Sequence, residues 1–125
     1  MRGILWIDGV GALAAGIVML VLRRFFVEVY ELPLGLITII GLANLAYAAV
    51  ALTLAARKRR RVAWIAALAL ANLSWALVSA LLVLRFHGDA TFFGVGHFVL
   101  EGAWVATLGT VEWRNRHTLG GVYAV

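Results

Sequence analysis

Apolar residues run along this chain in four blocks, at residues 4–22, 34–56, 62–84 and 92–111, and the short stretches between them hold most of the charge. At 1.5 Å rise per residue each block is long enough to cross, as a helix, a hydrocarbon core about 30 Å thick. The connections are short, so the pattern predicts one domain over 1–125. It is all-α: an integral membrane, antiparallel four-helix transmembrane bundle with a short cytoplasmic tail at 114–125, expected to be mobile. Pro33 marks a clean start for the second span. The stretch before it, from Arg23, carries Glu28, Tyr30 and Glu31 and is amphipathic at best. In the first span Gly9, Ala12 and Gly16 supply the small residues that allow close helix contact.

Composition agrees with the pattern. The 125 residues are 64% hydrophobic and 14% charged, with a mean hydropathy of +0.97, which is far outside the range of soluble domains. The first block is too long for the apolar region of a cleavable signal, ends in Arg23-Arg24 and is followed at once by another span, so it reads as a span itself. There is no cysteine, which excludes disulfides, iron–sulfur ligation and thiol chemistry.

The net charge of +5 is distributed as membrane topology requires. With alternating spans, Arg2, Arg57, Lys58, Arg59, Arg60, Arg61, Arg114 and Arg116 fall on one side, against Arg23, Arg24 and Arg85 on the other. The richer side is expected to be cytoplasmic, giving N-in and C-in termini. Arg57, Lys58, Arg59, Arg60 and Arg61 can also attract anionic lipid. Ten arginines to one lysine, with many alanines and glycines, suggest a GC-rich bacterial gene, so the expected location of the spans is the bacterial inner membrane. Trp6, Trp64 and Trp113 fall at the cytoplasmic boundary as an aromatic belt, whereas Trp75 and Trp104 lie deep, where an indole N–H wants a partner.

The candidate chemistry sits where polar residues interrupt apolar blocks. Glu101 lies nine residues into the fourth block, about 14 Å deep, where an ionisable side chain costs at least about 2.5 kcal/mol and is expected to face a bundle interior or a wet cavity. His97, four residues earlier, shares its face, and Trp104 continues it. Counted from their own ends, Asn44 and Asn72 lie about 15 Å deep, which predicts that they share Glu101's plane. Either residue alone can instead be a plain interhelical hydrogen bond. Asp8 is expected near the cytoplasmic boundary, reading equally as a carboxylate at a helix N-terminus within reach of water or as a working acid. With Glu112 it would extend a proton route running from His97. Residues 43–57 (ANLAYAAVALTLAAR) and 71–85 (ANLSWALVSALLVLR) agree at seven of fifteen positions, an arrangement that internal duplication would turn into inverted repeats.

Size and span count resemble the small multidrug resistance transporters, whose intramembrane glutamate lies in the first span; the corresponding position here holds Asp8. The combination of His97-xxx-Glu101 with Asn72-xx-Trp75 looks like the pocket chemistry of the emopamil-binding sterol isomerases, where acids, an asparagine and a tryptophan embrace an amine or carbocation. Chain order and span count differ from that family. The expected function is an intramembrane site for a proton-coupled cation or small amphipathic ligand, formed by Glu101, His97, Asn72, Asn44, Trp75, Trp104 and Asp8, in a transporter acting as a homo-oligomer. The alternatives are a lipid isomerase-like enzyme using the Glu/His pair, or an accessory subunit of a larger membrane complex. HxxxE supplies only two metal ligands and haem lacks a second intramembrane histidine, so no cofactor or metal is expected. No aromatic-basic face for nucleic acid is present.

Overall fold

The computed structural model describes residues 3–120, which are helical almost throughout. Met1, Arg2 and the last five residues, 121–125, lie outside the described part. Six helices follow in order: α1 Gly3–Val21, α2 Arg23–Tyr30, α3 Leu34–Ala56, α4 Val62–Phe86, α5 Phe92–Arg114 and α6 Arg116–Gly120. Helices α1, α3, α4 and α5 are each long and apolar enough to cross a membrane, and the protein is a multi-pass membrane protein. Their outward faces carry large apolar side chains such as Ile39, Leu77, Leu84 and Leu100, as contact with acyl chains requires.

Glycine sets how the helices pair. Gly9 of α1 lies against Leu52 of α3, and Gly16 lies against Gly41 and Leu45, so one helix descends in number as the other rises. A Cβ at Gly16 would sit 3.0 Å from the Gly41 carbonyl oxygen, which is why both positions carry no side chain. Helices α4 and α5 pair in the same way, through Gly102 against Ser79 and Gly109 against Ala69, Asn72 and Leu73. Close backbone approach of this kind is the main attraction available to helices in lipid, since burying leucine gains little there. The result is two tight pairs, α1/α3 and α4/α5, that touch each other sparingly.

The two pairs are joined at both ends. At one end α2 folds back under α3 and α5, ending where Glu31 takes a left-handed conformation (φ 54°). Thr91 then caps α5: its hydroxyl accepts from Gly94 N, donates to the Val29 carbonyl at 2.5 Å, and its own N–H donates to the Tyr30 carbonyl at 3.0 Å. The stretch expected to be amphipathic at best is therefore a helix fixed to the start of α5.

At the other end Arg60 is only 5% exposed. Its guanidinium donates to the carbonyls of Leu54 and Ala55, at the end of α3, and of Leu119 in α6, at 2.5, 3.0 and 3.0 Å. Of the five basic residues in this loop, Arg57, Lys58, Arg59 and Arg61 are exposed and Arg60 is turned inward. Residues 116–120, expected to be part of a mobile tail, form α6 instead. The reason is Leu119, which is buried with Leu5, Ala51, Leu54, Ala55, Ile65 and Leu68.

Candidate functional site

A cavity of about 1250 Å³ lies between the two helix pairs. It opens past Phe92, Phe93, Leu100 and Trp104, all of them about half exposed or more, so its mouth is on the lipid-facing surface. Small residues of α1, Gly11, Ala12 and Ala15, form the middle of one wall, between Asp8 and Met19 of the same helix. Eight aromatic side chains line the space: Phe25, Phe26, Tyr30, Tyr47, Trp75, Phe92, Phe93 and Trp104. The charged or chargeable groups on its walls are Asp8, Glu101 and His97, with no lysine or arginine among them.

The first polar cluster runs across three helices. His97 and Glu101, one turn apart on α5, are joined by His97 Nε2 and Glu101 Oε2 at 2.7 Å. Their side chains are 25% and 15% exposed, so the pair is sheltered but not sealed. Trp75 of α4 donates its indole N–H to Glu101 Oε1 at 2.9 Å, which satisfies the deep indole and fixes the carboxyl. On the other side of the imidazole, Nδ1 lies 3.0 Å from the Tyr30 hydroxyl of α2. A ring whose Nε2 faces a carboxylate carries hydrogen there. Tyr30 then donates to Nδ1 when the ring is neutral and accepts from it when the ring is charged. Burial, and after it the Glu101 charge, raises the Tyr30 phenol above its ordinary pKa, so it keeps its hydrogen throughout the physiological range. Tyr30 is placed by the capping of α5 described above, and Gly94 lets its backbone come close: a Cβ there would meet the Tyr30 carbonyl at 3.0 Å.

The second cluster joins all four long helices. Tyr47 of α3 donates to Asp8 Oδ2 of α1. The Asn72 amide nitrogen of α4 donates to the same Asp8 oxygen at 3.1 Å and to Glu112 Oε1 of α5 at 2.7 Å. Asp8 is 3% exposed and Glu112 fully buried. Asp8 is thus an enclosed acid bonded to other helices, rather than a carboxylate held by water at a helix end.

The site residues read from the sequence therefore divide. His97, Glu101 and Trp75 come together as one hydrogen-bonded chain, and Asp8 and Asn72 belong to another. Trp104 lines the wall, 49% exposed, without joining either. Asn44 lines the cavity too, but its amide turns back to the Ile40 carbonyl of its own helix at 3.0 Å. Asn72 does not share the level of Glu101 as expected but pairs with Glu112, eleven residues further along α5. Counting depth from the ends assumed that every span starts at one level, whereas α4 and α5 run 25 and 23 residues, longer than the core they cross. Register is set instead by Gly109 packing on Asn72, which puts Asn72 beside Glu112, one turn further along α5. Tyr30 and Tyr47 were not among the expected site residues, and Glu112 was expected only on a proton route with Asp8. A glycine three positions before an acid near a span end was the available sign of Glu112; Tyr47, one turn after Asn44, shared its face in the pattern.

Among the described residues no three metal-binding side chains converge. No family model matches the chain, and neither a curated protein nor a solved structure matches it.

Proposed function

We propose that the cavity binds a monovalent organic cation with an apolar body and exchanges it for a proton, in a small transporter of the bacterial inner membrane that works as a homo-oligomer. The supporting observation is the balance of its walls: carboxyl groups and eight aromatic rings, with no fixed cation. Carboxylates attract a cation at long range, and ring faces add about 0.5–2 kcal/mol each when the cation is desolvated against them. An anion would meet only repulsion.

The exchange follows from the His97–Glu101 pair. With the imidazolium paired to the carboxylate, the site is neutral and stable in a medium of low polarity. A cation that takes over the Glu101 carboxylate leaves the imidazolium unpaired, and His97 releases its Nε2 or Nδ1 hydrogen. One positive charge enters as one proton leaves. Trp75 holds the carboxyl in place through both states, because an indole can only donate. Asp8, Tyr47 and Asn44 line another part of the same space.

In this reading the termini and the Arg57–Arg61 loop are cytoplasmic, where the exposed Arg57, Lys58, Arg59 and Arg61 rest against anionic lipid. The test is binding of tetraphenylphosphonium to the purified chain over a pH series. Binding is expected to saturate, to weaken as pH falls and protons compete, and to be lost in Glu101→Gln while the detergent melting temperature is kept. Unchanged binding in Glu101→Gln sinks the reading. A second reading, proton transfer on a membrane lipid, is favoured by the same His97–Glu101 dyad facing a mouth open to lipid. It predicts a co-purified lipid whose product, followed by mass spectrometry, disappears in Glu101→Gln.

A further inference from the structure

We propose that Asp8 and Glu112 hold one proton between them, making a second proton-binding site at the Arg60 end of the cavity, separate from His97 and Glu101. Eleven residues of α5 part Glu101 from Glu112, about 16 Å along the helix, so this is a different station and not an extension of the first. The proposal does not depend on what the cavity binds.

Asp8 Oδ2 and Glu112 Oε1 both lie within hydrogen-bond length of one nitrogen, Asn72 Nδ2, and so are no farther apart than those two bonds together. That amide has two hydrogens and gives one to each acid. Tyr47 adds a third donor, to Asp8. Among the described residues the groups facing the pair are thus Tyr47 from α3, Asn72 from α4 and the two acids themselves from α1 and α5, and none of these is a cation. The guanidinium of Arg60 donates to the Leu54, Ala55 and Leu119 carbonyls, and Arg116 of α6 lies on the Trp113 ring. Two carboxylates in so dry a place, with no counter-charge among the groups that face them in the described residues, are not both ionised.

Glu112 carries an independent sign of the missing proton. It is fully buried, and its Oε2, on the carboxyl that already reaches Asn72, has no hydrogen-bond partner among the described residues. A buried carboxylate oxygen without a donor is costly. A carboxyl hydrogen on Oε2 makes it a donor instead and supplies a bond to the Asp8 carboxylate beside it. The pair then carries one negative charge and one exchangeable hydrogen, shared as coupled acids share it. Asp8 lines the cavity, so this hydrogen meets whatever travels the length of that space.

Infrared spectroscopy of the full chain in lipid tests the proposal. At neutral pH a protonated-carboxyl stretch is expected that shifts in heavy water, corresponds to one proton per chain, survives in Glu101→Gln and is lost in Glu112→Gln. Labelling the unaltered chain with isotopic glutamate or aspartate must shift the same band, which identifies its carrier without any substitution. A spectrum with no such band, a band that persists in Glu112→Gln, or one that sodium or potassium titrates away overturns the proposal, the last because the pair would then hold a metal cation. If tetraphenylphosphonium fails to bind while the band is present, only the cation reading falls.

Discussion

Gly109→Ala tests the register on which the second cluster depends. A Cβ at this position would stand 2.9 Å from the Ala69 carbonyl oxygen, 2.9 Å from Leu73 Cγ and 3.0 Å from Asn72 Cβ. Ordinary contact needs about 3.5 Å, so α5 must retreat from α4 by roughly 0.5 Å, and overpacking of this kind costs about 1–3 kcal/mol. The carbonyl is backbone and cannot step aside as a side-chain tip can. The same retreat carries the 2.7 Å bond between Asn72 and Glu112 to the outer limit for a hydrogen bond, about 3.2 Å. Gly102→Ala is the matched control on the same helix, since its Cβ would meet Ser79 Cβ at 3.3 Å and the Ala76 carbonyl only at 3.8 Å. Comparing the two cancels the helix-propensity gain of about 0.5–1 kcal/mol that any glycine-to-alanine change brings. Unfolding in sodium dodecyl sulfate, followed by circular dichroism, is expected to show Gly109→Ala less stable than Gly102→Ala by about 1–3 kcal/mol. Equal stabilities, or the reverse order, would refute the packing described and with it the placement of Glu112 beside Asn72.

Two further changes probe the connections. Trp75→Phe keeps an aromatic ring, though a smaller one, but removes the donor to Glu101, and is expected to cost about 1 kcal/mol in the same assay, the order of an interhelical bond in lipid; no loss would mean the bond is not made. Arg60→Ala strips three carbonyls of their charged donor, each such bond being worth about 1.5–3 kcal/mol and the three not additive. A loss of about 3 kcal/mol is expected, with faster hydrogen exchange in α6, and Arg60→Lys should recover only part because an ammonium lacks the planar fork.

The spans were legible because hydrocarbon imposes its length on them, and the Glu101–His97 contact was legible because helix geometry alone puts residues four apart on one face. The Trp75 partnership was legible in kind, as a deep indole needing an acceptor, though not in identity. What crossed between helices was hidden. Depth along each span says where a residue sits in its own helix, but Asn72 found Glu112 because Gly109 fixes how α4 and α5 slide past each other. A glycine among many glycines and alanines does not announce that role. Arg60 was hidden for a different reason: a run of five basic residues reads as a solvated loop, and nothing local shows that one of the five reaches back to carbonyls at the end of α3 and in α6. Residues 116–120 were misread as tail because Leu119 lies alone among polar and glycine neighbours there, and only the bundle provides the hollow it fills.

The two clasps, Thr91 to Tyr30 and Arg60 to Leu119, close the molecule top and bottom and leave the flank between Phe92 and Trp104 as its doorway. In the proposed reading the cation therefore enters sideways, from among the lipids, having already dissolved in them. Its strength of capture measured from water should accordingly track its oil-to-water partitioning, and compounds of equal charge and shape but greater oiliness should register as tighter binders without touching the protein any differently.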